Sequence, residues 1–196
     1  LGFAVTGGTS ATVATVAQGG GQSEYQGLTF GGTVTGGSST ITYGTNLTTP
    51  SITWSATAST MASRIQTALD AILGTGNTLV WPLSSTDYVI QFTGNLADAN
   101  LQQITTASSL TGTTPSVTPS TFVDGIGNDV QTLTVSGSTG NFTLSYNSVN
   151  ASSPISAPYA ALTAAVVQAN LETIPALTGN VTVIGAAGGP YTVVLH

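Results

Sequence analysis

Apolar and polar residues alternate along most of this chain, and two stretches replace that rhythm with a helical one. Residues 11–17 read Ala-Thr-Val-Ala-Thr-Val-Ala, the alternation of a strand, and Gly19-Gly20-Gly21 ends it. Ile41 and Tyr43 fall on one face by the period of two, so residues 25–30 and 38–43 are expected to form a strand pair around the Gly36-Gly37 turn. A short strand over 52–55 leads into residues 59–73, where Met61, Ile65, Ala68, Leu69 and Ile72 recur at spacings of three and four. That spacing predicts an amphipathic helix, with Ser59 or Thr60 as its cap and Gly74 and Gly76 as its stop. Strands over 78–81 and 87–92 follow, separated by Pro82 and a Ser-rich turn. Residues 94–124 carry Leu101-Gln102-Gln103-Ile104 and a strand over 117–123.

The same order of elements then returns. Residues 130–135 and 142–146 are expected to pair as a hairpin around 137–140, and residues 160–173 to form a helix with Leu162, Val166, Val167, Ala169 and Leu171 as its apolar positions. Strands over 181–184 and 191–195 close the series. Sequence matches follow the elements: at an offset of 105, Thr9 lies over Thr114, Gly20 over Gly125, the acid Glu24 over the acid Asp129 and Gln26 over Gln131. Gln66 and Leu69 lie over Gln168 and Leu171 at an offset of 102, and Gly76, Asn77 and Tyr88 lie over Gly179, Asn180 and Tyr191 at 103. A period of this size is one small domain, longer than the usual solenoid unit. The fold class expected is therefore α+β and β-rich, with two tandem repeat units, each a small mainly antiparallel sheet carrying one packed helix.

In this register residues 1–22 are the out-of-phase end of a preceding repeat, residues 23–126 are the first unit, and residues 127–196 are a second unit lacking its final strand segment. A surplus strand at one end and a deficit at the other suggest how copies join. Ala11, Thr12, Val13, Ala14, Thr15, Val16 and Ala17 are read as a polymerisation strand, and Tyr191, Val193 and Leu195 as the acceptor edge of a neighbouring copy. Such a head-to-tail contact does not close on itself and so propagates. In the competing reading, the sequence is cut from a longer array and its first strand belongs to the preceding repeat of the same polypeptide.

Composition narrows the function classes. Only 4% of residues are charged, so the surface is covered by Ser, Thr, Asn, Gln and Gly, as in secreted β-rich surface proteins. Arg64 is the one basic residue against seven acids, which argues against nucleic acid and against a polybasic membrane patch as partners. Cys is absent, which removes disulfides and thiolate chemistry, and no stretch reaches the length of an apolar membrane span.

Val130-Gln131-Thr132-Leu133-Thr134-Val135, Val167-Gln168-Ala169-Asn170-Leu171-Glu172 with Pro175 following, and Gly179-Asn180-Val181-Thr182-Val183 carry a resemblance. The Gly-Gly-Pro-Tyr-Thr-Val run from Gly188 and the Phe92-Thr93-Gly94-Asn95-Leu96-Ala97 stretch running to Leu110-Thr111-Gly112 extend it. The chain resembles the tandem repeats of large secreted proteins from planctomycetes and related bacteria, and of phage structural proteins. The resemblance implies a secreted structural or adhesive role without an active site. The first unit departs from the pattern with Trp54, Arg64 and Trp81.

Candidate chemistry is sparse. His196 is the single histidine, so a Ser/His/Asp triad would rest on a terminal base, and no catalytic residue or cofactor is expected. Asp124 and Asp129 carry oxygens suited to calcium, but their spacing is not that of an EF-hand and the equivalent 19–24 keeps one carboxylate; a polar turn between repeats is the better reading. Trp54 and Trp81 are read first as core aromatics and second as a sugar-stacking platform. Asn46, Asn141, Asn150 and Asn180 each begin an N-glycosylation triplet. The function expected is a structural subunit or segment of an extracellular filament, sheath or surface layer. Its partners are copies of itself, and glycans in the alternative reading as an adhesin or phage fibre module.

Overall fold

The computed structural model describes residues 21–196 in full and residues 2–6 and 10–17 as backbone. The strands are β1 (Gly2–Thr6), β2 (Ser10–Ala17), β3 (Tyr25–Gly36), β4 (Ser38–Tyr43), β5 (Leu47–Thr48), β6 (Ile52–Thr53), β7 (Thr78–Pro82) and β8 (Asp87–Phe92). They continue with β9 (Thr105–Ser108), β10 (Thr111–Val123), β11 (Asp129–Ser136), β12 (Asn141–Tyr146), β13 (Val149–Asn150), β14 (Ile155–Ser156), β15 (Val181–Ile184) and β16 (Tyr191–Leu195). Among the described residues the two α-helices are α1 (Ala58–Leu73) and α2 (Ala164–Leu171). The protein is thus mixed α+β and strand-rich, and all of its ladders are antiparallel.

The chain divides into a central unit, Gly20–Gly127, and a composite unit made of Asn128–His196 with the N-terminal strands. In the central unit one sheet runs β10-β3-β8-β7, and a second has β4 flanked by β5, β6 and β9. In the composite unit one sheet runs β2-β11-β16-β15, and a second has β12 flanked by β13, β14 and β1. Strand for strand the pairing diagrams are the same, with β1 and β2 standing where β9 and β10 stand.

The expected hairpins are not formed. β3 pairs with β8 and β10, whereas β4 pairs with strands of the other sheet, and β11 and β12 are likewise divided. The Gly36-Gly37 pair is a corner rather than a reversal. Gly37 has φ of +86° and its Cα lies so close to the Ser109 carbonyl that a Cβ would approach it to 2.2 Å. Opposite it the partner strand bends too, with Ser109 N donating to Ser38 O at 2.8 Å. A single two-stranded ribbon, β3–β4 against β9–β10, therefore passes from one sheet into the other, a recognised way of making sheet corners.

Helix α1 buries Met61, Ala62, Ile65, Ala68, Leu69 and Leu73, and Leu73 takes the place expected of Ile72, which is half-buried. The cap is Thr57 rather than Ser59 or Thr60, and Gly74 ends the helix by donating to Asp70 O at 3.0 Å. In the central unit the side chains of Ile41, Ile90, Phe92, Leu96 and Ile104 are fully buried, each worth about 1.5–3 kcal/mol of transfer free energy. Helix α2 begins later than expected because Tyr159–Ala161 forms a separate 3-10 turn and Thr163 caps the helix, accepting from Val166 N at 3.4 Å. That start turns Val166 and Ala169 outward and leaves Val167, Asn170 and Leu171 as its buried face. The composite core gathers Leu133, Phe142, Leu144, Val167, Leu171 and Val193 at zero exposure.

Candidate functional site: the completing strands

The alternation of residues 11–17 does make a strand, and its partner is β11 of the same chain. Val130 pairs with Ala17, Gln131 with Thr15, Leu133 with Val13 and Ser136 with Ser10. In the central unit Tyr25 pairs with Val123, Gln26 with Thr121 and Leu28 with Pro119. Both ladders skip one residue of the outer strand at the equivalent step, Val16 between Val130 and Gln131 and Phe122 between Tyr25 and Gln26. A bulge of this kind twists the outer strand over the end of its neighbour. The second pair is in the same register at the offset of 105: Phe3 faces Leu144 as Ser108 faces Ser39. The strand β9 that matches β1 carries Thr-Thr-Ala-Ser, without alternation, so no sequence signal announced it.

Tyr191, Val193 and Leu195 are not an acceptor edge. β16 is paired on one side with β15, Val183 facing Val193, and on the other with β11, Thr132 facing Thr192. Hydrogen-bonding groups on both sides of a strand are used up in that position, so no further strand can add to it. The edge that receives the completing strand is β11, through residues 130–136.

Where the completing strand meets the sheet, each unit carries an acid and a glutamine two residues apart. Glu24 and Gln26 are fully buried. Gln26 Nε2 donates to Glu24 Oε1. Leu101 N donates to Glu24 Oε2 at 2.5 Å, and Ile104 N donates to Gln26 Oε1 at 2.9 Å. Gln26 Nε2 also donates to Gln102 O at 3.3 Å. The pair therefore grips the main chain of the segment that enters β9. Burial pushes the Glu24 carboxyl up from its ordinary value, against the lowering by Gln26 and the Leu101 amide, and the negative charge of Asp124 pushes the same way as burial. In the composite unit Gln131 Nε2 donates to Asp129 Oδ2 at 2.6 Å. Asp129 Oδ1 is buried, and no donor among the described residues reaches it.

Asp124 is exposed and Asp129 turns to Gln131. Among the described residues no group of three or more His, Asp or Glu is placed to hold a metal ion. His196 lies between two amide and hydroxyl partners, Nδ1 at 3.0 Å from Asn128 Nδ2 and Nε2 at 2.9 Å from Thr182 Oγ1. Burial lowers its pKa from the ordinary 6.5. Trp54 and Trp81 are half-buried and packed on other rings, Trp54 on Phe30 at 4.9 Å and Trp81 edge-on to Tyr25 at 6.2 Å. Asn46, Asn150 and Asn180 are exposed and Asn141 is half-buried at the start of β12.

A groove of about 510 Å3 opens between α1 and residues 50–53, lined by Ile52, Thr60, Arg64, Thr67, Ala68 and Ala71 among others. Arg64 Nη1 donates to the carbonyls of Thr53 at 2.8 Å and Trp54 at 2.9 Å. In the composite unit the matching seam is fastened, with Asn170 Nδ2 donating to Ser153 O at 2.9 Å and Ser152 N to Thr173 Oγ1 at 2.9 Å. Ala68 and Ala71 supply no such donors or acceptors, which is why the central groove stays open. Among the described residues no helix is long and apolar enough to cross a membrane.

No protein-family model and no curated protein matches the chain. Among solved structures it is similar to FliD (HAP2) from Pseudomonas aeruginosa PAO1, at 15% identity and a TM-score of 0.35, over 90% of this chain and 93% of that chain.

Proposed function

We propose that this chain is a non-catalytic building block of an extracellular filament, sheath or surface layer, and that its copies join by strand complementation. The observation that carries the reading is the pairing of β2 with β11 and of β1 with β12 in the register that β10 and β9 hold within the central unit. A ladder of main-chain hydrogen bonds is indifferent to the covalent route by which its strand arrives, so the same two strands complete the composite unit of their own chain or of a neighbour. The acceptor in the neighbour is β11, not β16. Two units with one pairing diagram fit a tandem repeat, and the low charge of the chain fits a secreted surface.

Refolding the full chain across a range of concentrations and following its mass by light scattering tests the reading. Complementation between chains predicts oligomers that grow with concentration, and a chain deleted of residues 1–17 that no longer forms them. A full chain that stays monomeric after refolding at the highest concentration, or a deleted chain that assembles as well as the intact one, overturns it. Denaturing electrophoresis of native material separates subunits of about this chain's 19.5 kDa from a single long array. The groove beside Arg64, with the hydroxyls of Thr60 and Thr67 on its wall, favours a second reading as a glycan-binding module. Saturable binding of glycan fragments that is lost in Arg64→Gln supports it.

A further inference from the structure

The pairing register sorts the two faces of the central sheet β10-β3-β8-β7. Leu28, Ile90 and Phe92 belong to the core face and are fully buried, so their strand neighbours belong to the outer face. Tyr25 stands opposite Gln91, and Gln91 opposite Leu79, which makes one outer row. Gly27 opposite Val89, and Val89 opposite Trp81, make the next. Phe122, the residue bulged out of β10, joins this face. A Cβ on Gly27 would lie 2.2 Å from its Cζ and 2.7 and 2.8 Å from its two Cε atoms. Those distances put the Cβ above the ring rather than beyond its edge, so the ring lies face-down over Gly27. Trp81 meets Tyr25 edge to face at 6.2 Å, and Val89, beside both Gly27 and Trp81, is buried although it faces outward. Phe122 at 53% and Leu79 at 52% exposure stay open to solvent.

The fold does not require these rings. The composite unit builds the same two rows from Val130, Val194 and Thr182, and from Thr132, Thr192 and Ile184, and its bulged residue is Val16. Exposed apolar side chains gathered on one face mark a binding surface, and what surrounds them decides the ligand. No cation shares the face, since Arg64 lies on α1, and Asp87 opposite Thr29 brings a negative charge to the third row; nucleic acid is disfavoured. With Gly27 covered and Val89 buried the face is level, without the pits that seat the side chains of a partner protein. Between Tyr25 and Leu79 the Gln91 side-chain amide is unengaged among the described residues. A pyranose offers the complement: a flat patch of C–H bonds for the aromatic rings, and hydroxyls at its rim for the amide and the carboxylate.

We propose that the outer face of the central sheet, through Tyr25, Trp81, Gln91 and Phe122, is a stacking platform for a neutral, β-linked sugar chain. From Gly27 to Trp81 the platform crosses two strand spacings, about 10 Å, which seats two sugar units lying across the strands. The inference takes up the second reading above, that the chain binds glycans, and places the site on this face rather than in the groove beside Arg64.

The probes are the β-linked hexasaccharides cellohexaose, chitohexaose and mannohexaose, each titrated into the isotope-labelled full chain and followed by amide and indole N–H chemical shifts. Saturable binding of at least one is expected, with shifts centred on Gly27, Val89 and Trp81. Phe122→Ala, at a side chain half open to solvent, is expected to weaken binding at least tenfold and Gln91→Ala severalfold. Phe122→Tyr keeps the ring and should keep the binding, and Arg64→Gln should leave it unchanged. Absence of saturable shifts for all three sugars at millimolar concentration overturns the proposal and the glycan reading with it. Binding lost in Arg64→Gln but kept in Phe122→Ala overturns this site alone and moves recognition to the groove. Self-association that Phe122→Ala abolishes, with no sugar bound, also overturns it and makes the face a contact between copies.

Discussion

Gln66 Oε1 accepts the backbone N–H of Val80 at 2.8 Å, so a helix side chain satisfies an amide of an edge strand that no other strand meets. The same glutamine donates from Nε2 to Asp70 Oδ1 at 2.8 Å and to Thr78 O at 3.0 Å. Gln168 repeats the arrangement with Val183 N at 3.1 Å and Glu172 Oε1 at 3.0 Å. Gln66→Ala leaves the Val80 amide without its partner, and a loss of about 1–3 kcal/mol is expected in denaturant unfolding. Hydrogen exchange supplies the local check, since the Val80 amide should lose protection more than the amides of β8.

Glu24 gives the protein a pH dependence whose sign is opposite to ordinary acid denaturation. Its folded carboxyl is held above its ordinary 4.5 by burial, so the folded state binds the proton more tightly than the unfolded chain does. The contribution of this group is fully present below that ordinary value and is lost as pH rises through the folded value. Relative to Glu24→Gln, the wild-type chain should therefore gain stability as pH is lowered from neutral. His196 works in the other direction: lowered by burial from 6.5, it favours the fold above that value and loses its contribution as pH falls through its folded value. Unfolding curves of the wild type, Glu24→Gln and His196→Ala across this range separate the two.

Gly37→Ala is expected to be among the most damaging single changes in the central unit. The left-handed backbone at φ of +86° costs an L residue about 1–2 kcal/mol, and the new methyl would meet the Ser109 carbonyl at 2.2 Å. With overpacking of about 1–3 kcal/mol added, a loss of roughly 2–5 kcal/mol is expected in thermal or chemical unfolding. A variant as stable as the wild type would mean that the corner yields at little cost.

Trypsin has a single target, Arg64, whose side chain is exposed but whose backbone lies within α1 between the buried Met61 and Ile65. A protease needs an extended backbone, so cleavage requires the helix to open. The folded chain should resist trypsin, and the rate of cleavage should rise with denaturant in step with unfolding.

The helices and most strands were legible because their apolar spacing is set by burial of one face. Leu69 and Leu171 announce the two helices in this way. The sheet corner was not legible. A Gly-Gly pair between two alternating runs satisfies a tight reversal and a bend equally well, and only the neighbours of β3 decide between them. The strand over Thr105–Ser108 was silent for a different reason: its residues are mostly exposed or half-buried, so burial imposed no alternation on them. In the site, the Glu-x-Gln and Asp-x-Gln pairs were visible as a repeated match, but Glu24 and Gln26 do their work on main-chain amides, which have no sequence signature. The acceptor edge was misplaced because a strand near the end of a series looks terminal, while pairing put β16 in the middle of its sheet.

The ladder that joins Ser10 to Ser136 and Ala17 to Val130 encloses the whole central unit within one covalent loop. The central unit is therefore topologically an insertion in the composite one. The composite unit can close only after chain from both sides of the insertion has been made, which gives it the higher contact order and the slower folding of the two. It also means that a nick between β2 and β3 would not release the N-terminal strands at once: they would remain as a noncovalent fragment whose dissociation rate reports, on a clock, how firmly the composite unit holds its completing strands.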